Sequence, residues 1–414
     1  MAARLTIISA IKPARLSKGF KLDAEGKLVK LPGGNLVQGK AEVRTIESLA
    51  DLAEILISLT PSQALVYGVP IDGAARVMTR KAFAEAGRPD GATTRTNDAF
   101  IWPQGGGVLM LDYDPSSDGR ALERDALVRT IREAVPGLTD TAFLWWPSAS
   151  SCIWQGNTEL RGIRGQRLYI IVQDAADIPR AGKVLVDRLW LAGFGHIEIS
   201  ASGALLERTL VDASVWQQSR LDFAGGAECG AGLEQRRGEP VPIAGRAQTI
   251  DTRSALPDLT AAERDKLAAI KAAAKSGAQP DADRAKGRWV DARVQEMLVP
   301  ADRGDPEKVR EAEAIARRAL ETGVLAGDFM VAVEVRDKVE LIAVGDLMDN
   351  RARYHGCLTR DPLEPGYDGA RLVGKLFLLQ ARPALHSFAH GGKVYRLHRA
   401  PARVELVKGH TAEA

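Results

Sequence analysis

Leu109-Met110-Leu111-Asp112-Tyr113-Asp114-Pro115 is the stretch on which the reading of this sequence turns. The four apolar residues 108–111 predict a buried strand that runs straight into the acidic triplet. Side chains at i and i+2 of an extended segment point the same way, so Asp112 and Asp114 project together while Tyr113 faces the other side. Two carboxylates that close repel each other unless a cation lies between them, and hard divalent ions take oxygen donors of this kind. The plainer alternative is an aspartate-rich turn, with Pro115 and Ser116-Ser117-Asp118-Gly119 capping a following helix. The apolar strand ahead of the triplet favours the metal.

Working outward, residues 143–146, 167–172, 196–200 and 209–211 read as further strands, and 118–135 and 180–192 as helices. Upstream lie a strand over 5–10, a glycine-rich linker over 32–39 and an amphipathic helix over 46–59. That helix has Glu47 and Asp51 in its first turns and is stopped by Pro61; a strand over 64–68 follows it. Strands and helices alternate irregularly, which gives an α+β domain ending near residue 250. Composition then shifts. Residues 259–276 and 283–322 are alanine-rich and charged, hence helical, with a turn over 277–281. Strands over 329–335, 339–344, 375–379 and 394–397 with glycine turns form a small β-rich module. The expected domains are 1–255, 256–325 and 326–414.

With 414 residues, 45% hydrophobic and 26% charged, the chain has the composition of a globular protein with more than one core, which excludes disordered and fibrous classes. It has no run of apolar residues long enough for a membrane span and no small-residue cleavage site after the brief apolar patch at 5–10. The expectation is therefore a cytoplasmic protein with no membrane partner. Three scattered cysteines without a CxxC pair argue against a disulfide framework or zinc ribbon. A net charge of +3 permits a nucleic-acid partner without requiring one.

Three further segments suit the same chemistry. Ser148-Ala149-Ser150-Ser151 follows one apolar strand, and Arg167 begins another after a glycine-bearing loop. Hydroxyls and a guanidinium at strand edges fit phosphate oxygens, although serine clusters are usually turns. Asp212 ends the apolar run in Thr209-Leu210-Val211, with Arg208 four residues before it and Arg220 eight after. A third carboxylate would complete a two-metal site; the alternative is a strand-end aspartate that caps its own turn.

Taken in order, these segments resemble the archaeo-eukaryotic primase superfamily, in the primase-polymerase branch of phages, plasmids and mobile elements. Its DxD element corresponds to Asp112-Tyr113-Asp114, its S-x-H element to 148–169, and its hydrophobic-Asp element to Val211-Asp212. The stretch LERTLVDASVWQQSRLDFAGGAEC at 206–229 is the most specific match, and Thr94-Arg95-Thr96 also looks like these proteins. The likeness covers roughly 60–250. More loosely it extends to Tyr354-His355-Gly356, Asp361-Pro362-Leu363-Glu364-Pro365 and the segment 386–392, which look like the region such proteins carry ahead of a helicase. One departure is that the family's phosphate-contacting histidine falls at Arg167, which binds phosphate but does not exchange protons near neutral pH.

The resemblance implies an RRM-like sheet beside a second α/β layer, followed by a helical domain and the β-rich module. It implies a template-directed nucleotidyltransferase in which Asp112, Asp114 and Asp212 hold two divalent ions, Mg2+ or Mn2+. Ser150, Ser151, Arg167, Arg208, Arg220 and Arg95 would line the nucleotide site. The implied partners are a single-stranded DNA template, nucleoside triphosphates and a replicative helicase, in trans or as a further C-terminal domain. A DxD glycosyltransferase and a catalytically silent initiator that binds origin DNA are the rivals.

Several signals are set aside. Gly34 to Lys40 and Gly369 to Lys375 have G-x4-GK spacing, but Ala41 and Leu376 follow where a phosphate loop needs a hydroxyl. His355, Cys357, His386 and His390 read as core and turn residues ahead of a zinc site. The mixed charges of 284–318 read as a solvated helix face, and Trp145 and Trp146 as aromatic core ahead of base stacking.

Overall fold

The computed structural model describes residues 2–115, 121–336 and 338–399. It is mixed α+β, with 32% helix and 31% strand spread over several sheets, as the alternating pattern predicts. The chain divides into two compact units, Met1–His196 with Glu207–Ala274, and Ile197–Leu206 with Lys275–Ala414. The expected boundary at 255 falls inside the first unit and that at 325 inside the second.

The first unit holds two main sheets. Strands β1 (Ala3–Lys12), β2 (Gln38–Ile46), β3 (Gln63–Val66), β4 (Arg76–Met78) and β5 (Ala92–Thr94) make a sheet of order β3-β1-β2-β4-β5. All its pairs are antiparallel except β4 with β5. The helix expected at 46–59 is α1 (Leu49–Ser58), and its N-cap is Ser48 rather than Glu47. The Ser48 hydroxyl accepts from Asp51 N at 3.2 Å while the Asp51 carboxylate accepts from Ser48 N at 3.0 Å, a reciprocal box that places β2 and α1 end to end. The long strand β2 occupies ground that the glycine-rich linker obscured in the sequence.

The second sheet carries the acidic triplet. In chain order it contains β6 (Gly107–Tyr113), α2 (Arg124–Ala134), β7 (Phe143–Pro147), β8 (Gln166–Val172), α3 (Ile178–Leu191) and β9 (Val241–Ile243). The beginning of the helix expected at 118, with its cap over 116–119, lies outside the described residues. The strand order is β6-β8-β7-β9, antiparallel throughout, and an antiparallel bridge joins Tyr113 to Val211 on the outer side of β6. Residues 209–211, expected as a strand, contribute only that bridge; the strand proper is Leu205–Arg208, paired with His196–Ile199 in a sheet of its own. Helices α2 and α3 pack on each other and α3 packs on β6, while α1 packs on β7 and β8. With both faces covered, the continuous apolar runs of β6, β7 and β8 are buried almost throughout. A charged residue inside such a strand needs a partner supplied by the fold.

Two small sheets complete this unit. Gly19–Leu22 pairs with Leu28–Leu31 and with Glu228–Cys229, and Ile153–Gln155 pairs with Thr158–Arg161 and Leu233–Gln235.

The turn expected over 277–281 does not form. A single helix of 37 residues, Ala261–Met297, runs through Gly277 and Pro280. An interior proline loses one hydrogen bond and costs about 3 kcal/mol. Alanine-rich turns on both sides carry the helix across it. In the second unit the helix Pro306–Thr322 starts on the Asp305 side chain and closes on Gly323 at φ 68°. The β-rich module is a seven-stranded sheet that includes all four expected strands and adds Val324–Ala326, Leu358–Thr359 and Ala384–Ser387. Its core gathers Trp289, Ile315, Phe329, Val333, Leu376 and Leu397. Both near-matches to the phosphate loop end in strands, at Lys40 and Lys375, and open no helix. Among the described residues no helix is long and apolar enough to cross a membrane.

Candidate active site on the acidic strand

Cross-strand register builds the site. Asp112 on β6 lies opposite Arg167 on β8, and Arg167 lies opposite Trp146 on β7, so the three share one face of the sheet in a single row. The next row on that face is Met110, Tyr169 and Leu144. Arg167 is only 7% exposed. Its Nη2 lies 2.8 Å from Oδ1 of Asp222, a carboxylate that is itself buried, and its Nε lies 3.9 Å from Asp112 Oδ1. The Tyr67 hydroxyl donates to Asp222 Oδ2 at 2.6 Å, and the Tyr169 hydroxyl lies 3.4 Å from the same atom. Burial opposes the charge on Arg167, but Asp222 and Asp112 more than offset it and hold the guanidinium firmly protonated. Both tyrosine hydroxyls are pushed well up by burial and then by Asp222.

Asp112 responds the other way. Burial and the nearby carboxylates of Asp114, Asp222 and Asp212 outweigh Arg167 and push its carboxyl up to about 7. It is a carboxylate short of cations. Asp114, just past the strand end, is exposed and its Oδ1 reaches Gly165. A Cβ at Gly165 would stand 2.6 Å from that oxygen and 2.7 Å from the Ser148 hydroxyl, so only glycine leaves room for both. Lys18, in the loop just before the strand Gly19–Leu22, is another cation of this group. Burial and Lys30 pull its ammonium down, while Asp114 and Asp112 act in the opposite sense.

The remaining sequence candidates are distributed unevenly. Asp212 is brought beside Asp112, its backbone N donating to Asp112 O at 2.9 Å. Its exposed carboxylate accepts from Ser214 N at 2.8 Å and Ser214 Oγ at 2.9 Å, which is the self-capping turn weighed as the alternative. Among the described residues no three His, Cys, Asp or Glu side chains form a metal-binding group. Ser151 is fully buried, its hydroxyl donating to Gly165 O and accepting from Arg164 N, and the Ser150 hydroxyl lies 2.9 Å from that of Ser148. These serines fasten the loop before β8 and leave no free hydroxyl at Ser151 for a ligand. Arg208 closes a strand of the separate two-stranded sheet, not of the acidic one. Arg95 donates to Ser219 O at 2.8 Å, and burial followed by the neighbouring Arg220 lowers its pKa.

Sequence reasoning missed Asp222, Tyr67 and Lys18. Only Asp222 carried a signal, as a lone carboxylate between Leu221 and Phe223. The others enter through long-range pairing that no local pattern encodes. No family model, no curated protein and no solved structure matches this chain.

Proposed function

We propose that the protein is a template-directed primase-polymerase that joins nucleoside triphosphates on a single-stranded DNA template. The observation that carries this reading is the row Asp112–Arg167 with Asp114 at its end, a cation-deficient carboxylate pair beside a buried, permanently charged guanidinium. The connectivity β6-α2-β7-β8-α3 followed by the Val211 bridge supports it. Its strand order, Val211–β6–β8–β7, is that of a split βαβ sheet, which fits an RRM-like core.

The donors present fit a hard divalent ion: two carboxylates, one of them pushed up to about 7 by burial and then by its carboxylate neighbours, with the Ser148 hydroxyl alongside. Asp112 and Asp114 would hold Mg2+ or Mn2+, whose chemistry there is activation of a 3′-hydroxyl and neutralisation of the leaving pyrophosphate. Arg167, held in place by Asp222, binds a phosphate oxygen and takes no proton from it. One observation favours the silent initiator, namely that both Asp212 oxygens are engaged by Ser214. Incubating the protein with single-stranded template, labelled nucleotides and Mg2+ or Mn2+ decides between them. Template-dependent products are expected; their absence with DNA binding intact leaves the initiator.

A further inference from the structure

The row of Asp112 and Arg167 continues to Trp146, and over the Trp146 ring lies a second guanidinium. Arg237 Cζ is 3.8 Å from the ring centroid. The two guanidiniums are placed differently. Arg167 has Asp222 at 2.8 Å, whereas among the described residues no carboxylate stands within ion-pair distance of Arg237. Its neighbours are carbonyls, Ala224 O at 3.0 Å and Pro147 O at 3.4 Å. A half-buried cation without an anion is costly, and here burial and then Arg167 depress its pKa to about 10. The Trp146 indole N–H beneath it is also buried without a hydrogen-bond partner.

Both residues line a cavity of about 490 Å3 whose wall includes Gly226, Gln235 and Gly238 and, as its carboxylates, Glu234 and Glu239. Strands of one sheet lie about 4.8 Å apart, so Trp146, two strands from Asp112, is about 10 Å from it along the row, within the reach of one nucleotide. Alongside, Arg236 lies over the Trp154 ring at 5.2 Å but is paired with Glu234 at 2.8 Å, so it differs from Arg237 in having its own carboxylate. Arg237 Nη1 donates to both carbonyls, which leaves Nη2 and Nε as the donors for a phosphate oxygen.

We infer that Arg237, seated on Trp146 in this cavity, is a phosphate-binding residue that holds a nucleotide next to the carboxylate pair. The inference rests on the nucleotide chemistry proposed for Asp112 and Asp114. The phosphate belongs either to a free nucleoside triphosphate or to a nucleic-acid strand, and the two sources are separable.

The test measures binding of fluorescein-labelled oligothymidylate and, separately, of adenosine triphosphate to the full chain in EDTA, for wild type and Arg237→Gln. Arg237→Gln is expected to weaken binding about tenfold for the ligand whose phosphate it holds. For the oligonucleotide it should also reduce the salt slope by about one. A loss confined to one ligand names the source. On the wild-type chain, modification of Arg237 by phenylglyoxal, read by mass spectrometry, should slow when that ligand is bound, which keeps the test valid if the variant misfolds. Unchanged affinity for both ligands, or modification that neither slows, overturns the inference. If wild type makes no primer yet binding depends on Arg237, the proposed function falls and this site stands. If primer synthesis is intact and binding ignores Arg237, the reverse holds.

Discussion

Glu364 in the second unit and Asp112 in the first are both carboxylates largely withdrawn from solvent, yet their surroundings drive them in opposite directions. Glu364 accepts from Ser202 N at 3.1 Å and Ser202 Oγ at 2.8 Å, and its other oxygen lies 2.8 Å from His390 Nε2. Against the penalty of burial, the hydrogen bonds from His390, Ser200 and Ser202 bring its pKa down to about 2. Asp361 beside it is equally well supplied, accepting from Leu363 N, Glu364 N and Ser387 Oγ. Around Asp112 the charges are mismatched: carboxylates crowd it, its nearest cation is 3.9 Å away, and Arg167 Nε has no hydrogen-bond partner. Both networks keep one buried nitrogen without a partner, Arg167 Nε here and His390 Nδ1 there, so the contrast lies in the carboxylates themselves: hydrogen bonds hold Glu364 charged, whereas burial and neighbouring carboxylates oppose the charge on Asp112.

The sharpest way to break that contrast is to neutralise each carboxylate in turn. Asp112→Ala and Asp114→Ala should each abolish nucleotide addition, by about a thousandfold or more, measured as labelled primer product. In EDTA neither should lower the melting temperature, because each removes one of two mutually repelling charges. Near wild-type synthesis by either variant would end the metal-site assignment.

Asp222→Ala should behave differently. It strands Arg167 inside the sheet without its anion, at about 3–5 kcal/mol, and denaturant titration should show the midpoint fall along with activity. A stable, inactive Asp222→Ala would move Asp222 from a supporting role into direct contact with substrate.

Glu364→Gln should cost about 1–3 kcal/mol and leave nucleotide addition unchanged. The wild-type group sits below its ordinary 4.5 at about 2, so its stabilisation is full above pH 4.5 and is lost as pH falls through about 2. Melts across that acid range should steepen for wild type relative to Glu364→Gln. Parallel curves would show that the depressed carboxyl is not felt by the fold.

The smallest effect is expected at Arg167. Arg167→His, cationic in the field of Asp222, should retain about tenfold more activity than Arg167→Ala, with the loss appearing as a raised KM for nucleotide. Equal KM values for wild type and Arg167→Ala would make the side chain structural.

The paired aspartates and the strand beneath them were legible because their signal is local: an apolar run, an i, i+2 spacing and a proline. The seven-stranded sheet was legible in four of its strands for the same reason. What escaped was non-local. Asp222 serves Arg167 from 55 positions away in sequence and Tyr67 from 155, and neither pairing leaves a periodicity. The long helix through Pro280 was misread because a glycine and a proline three residues apart signal a turn more strongly than flanking alanines signal continuity. At Asp212 the structure shows the turn cap, made by a serine two residues on that the sequence displayed but could not weigh.

The ten residues Ile197–Leu206 belong to the second unit although they interrupt the first. Ser202 reaches the ribosome exit 162 residues ahead of its acceptor Glu364. At about 5–20 residues per second, that is a wait of about 8–32 s during synthesis. Throughout it the paired hydroxyls of Ser200 and Ser202, 3.1 Å apart once folded, have no carboxylate to meet. The second unit therefore cannot mature by simple N-to-C succession. Its earliest-made piece waits, unpaired, until its latest-made half emerges.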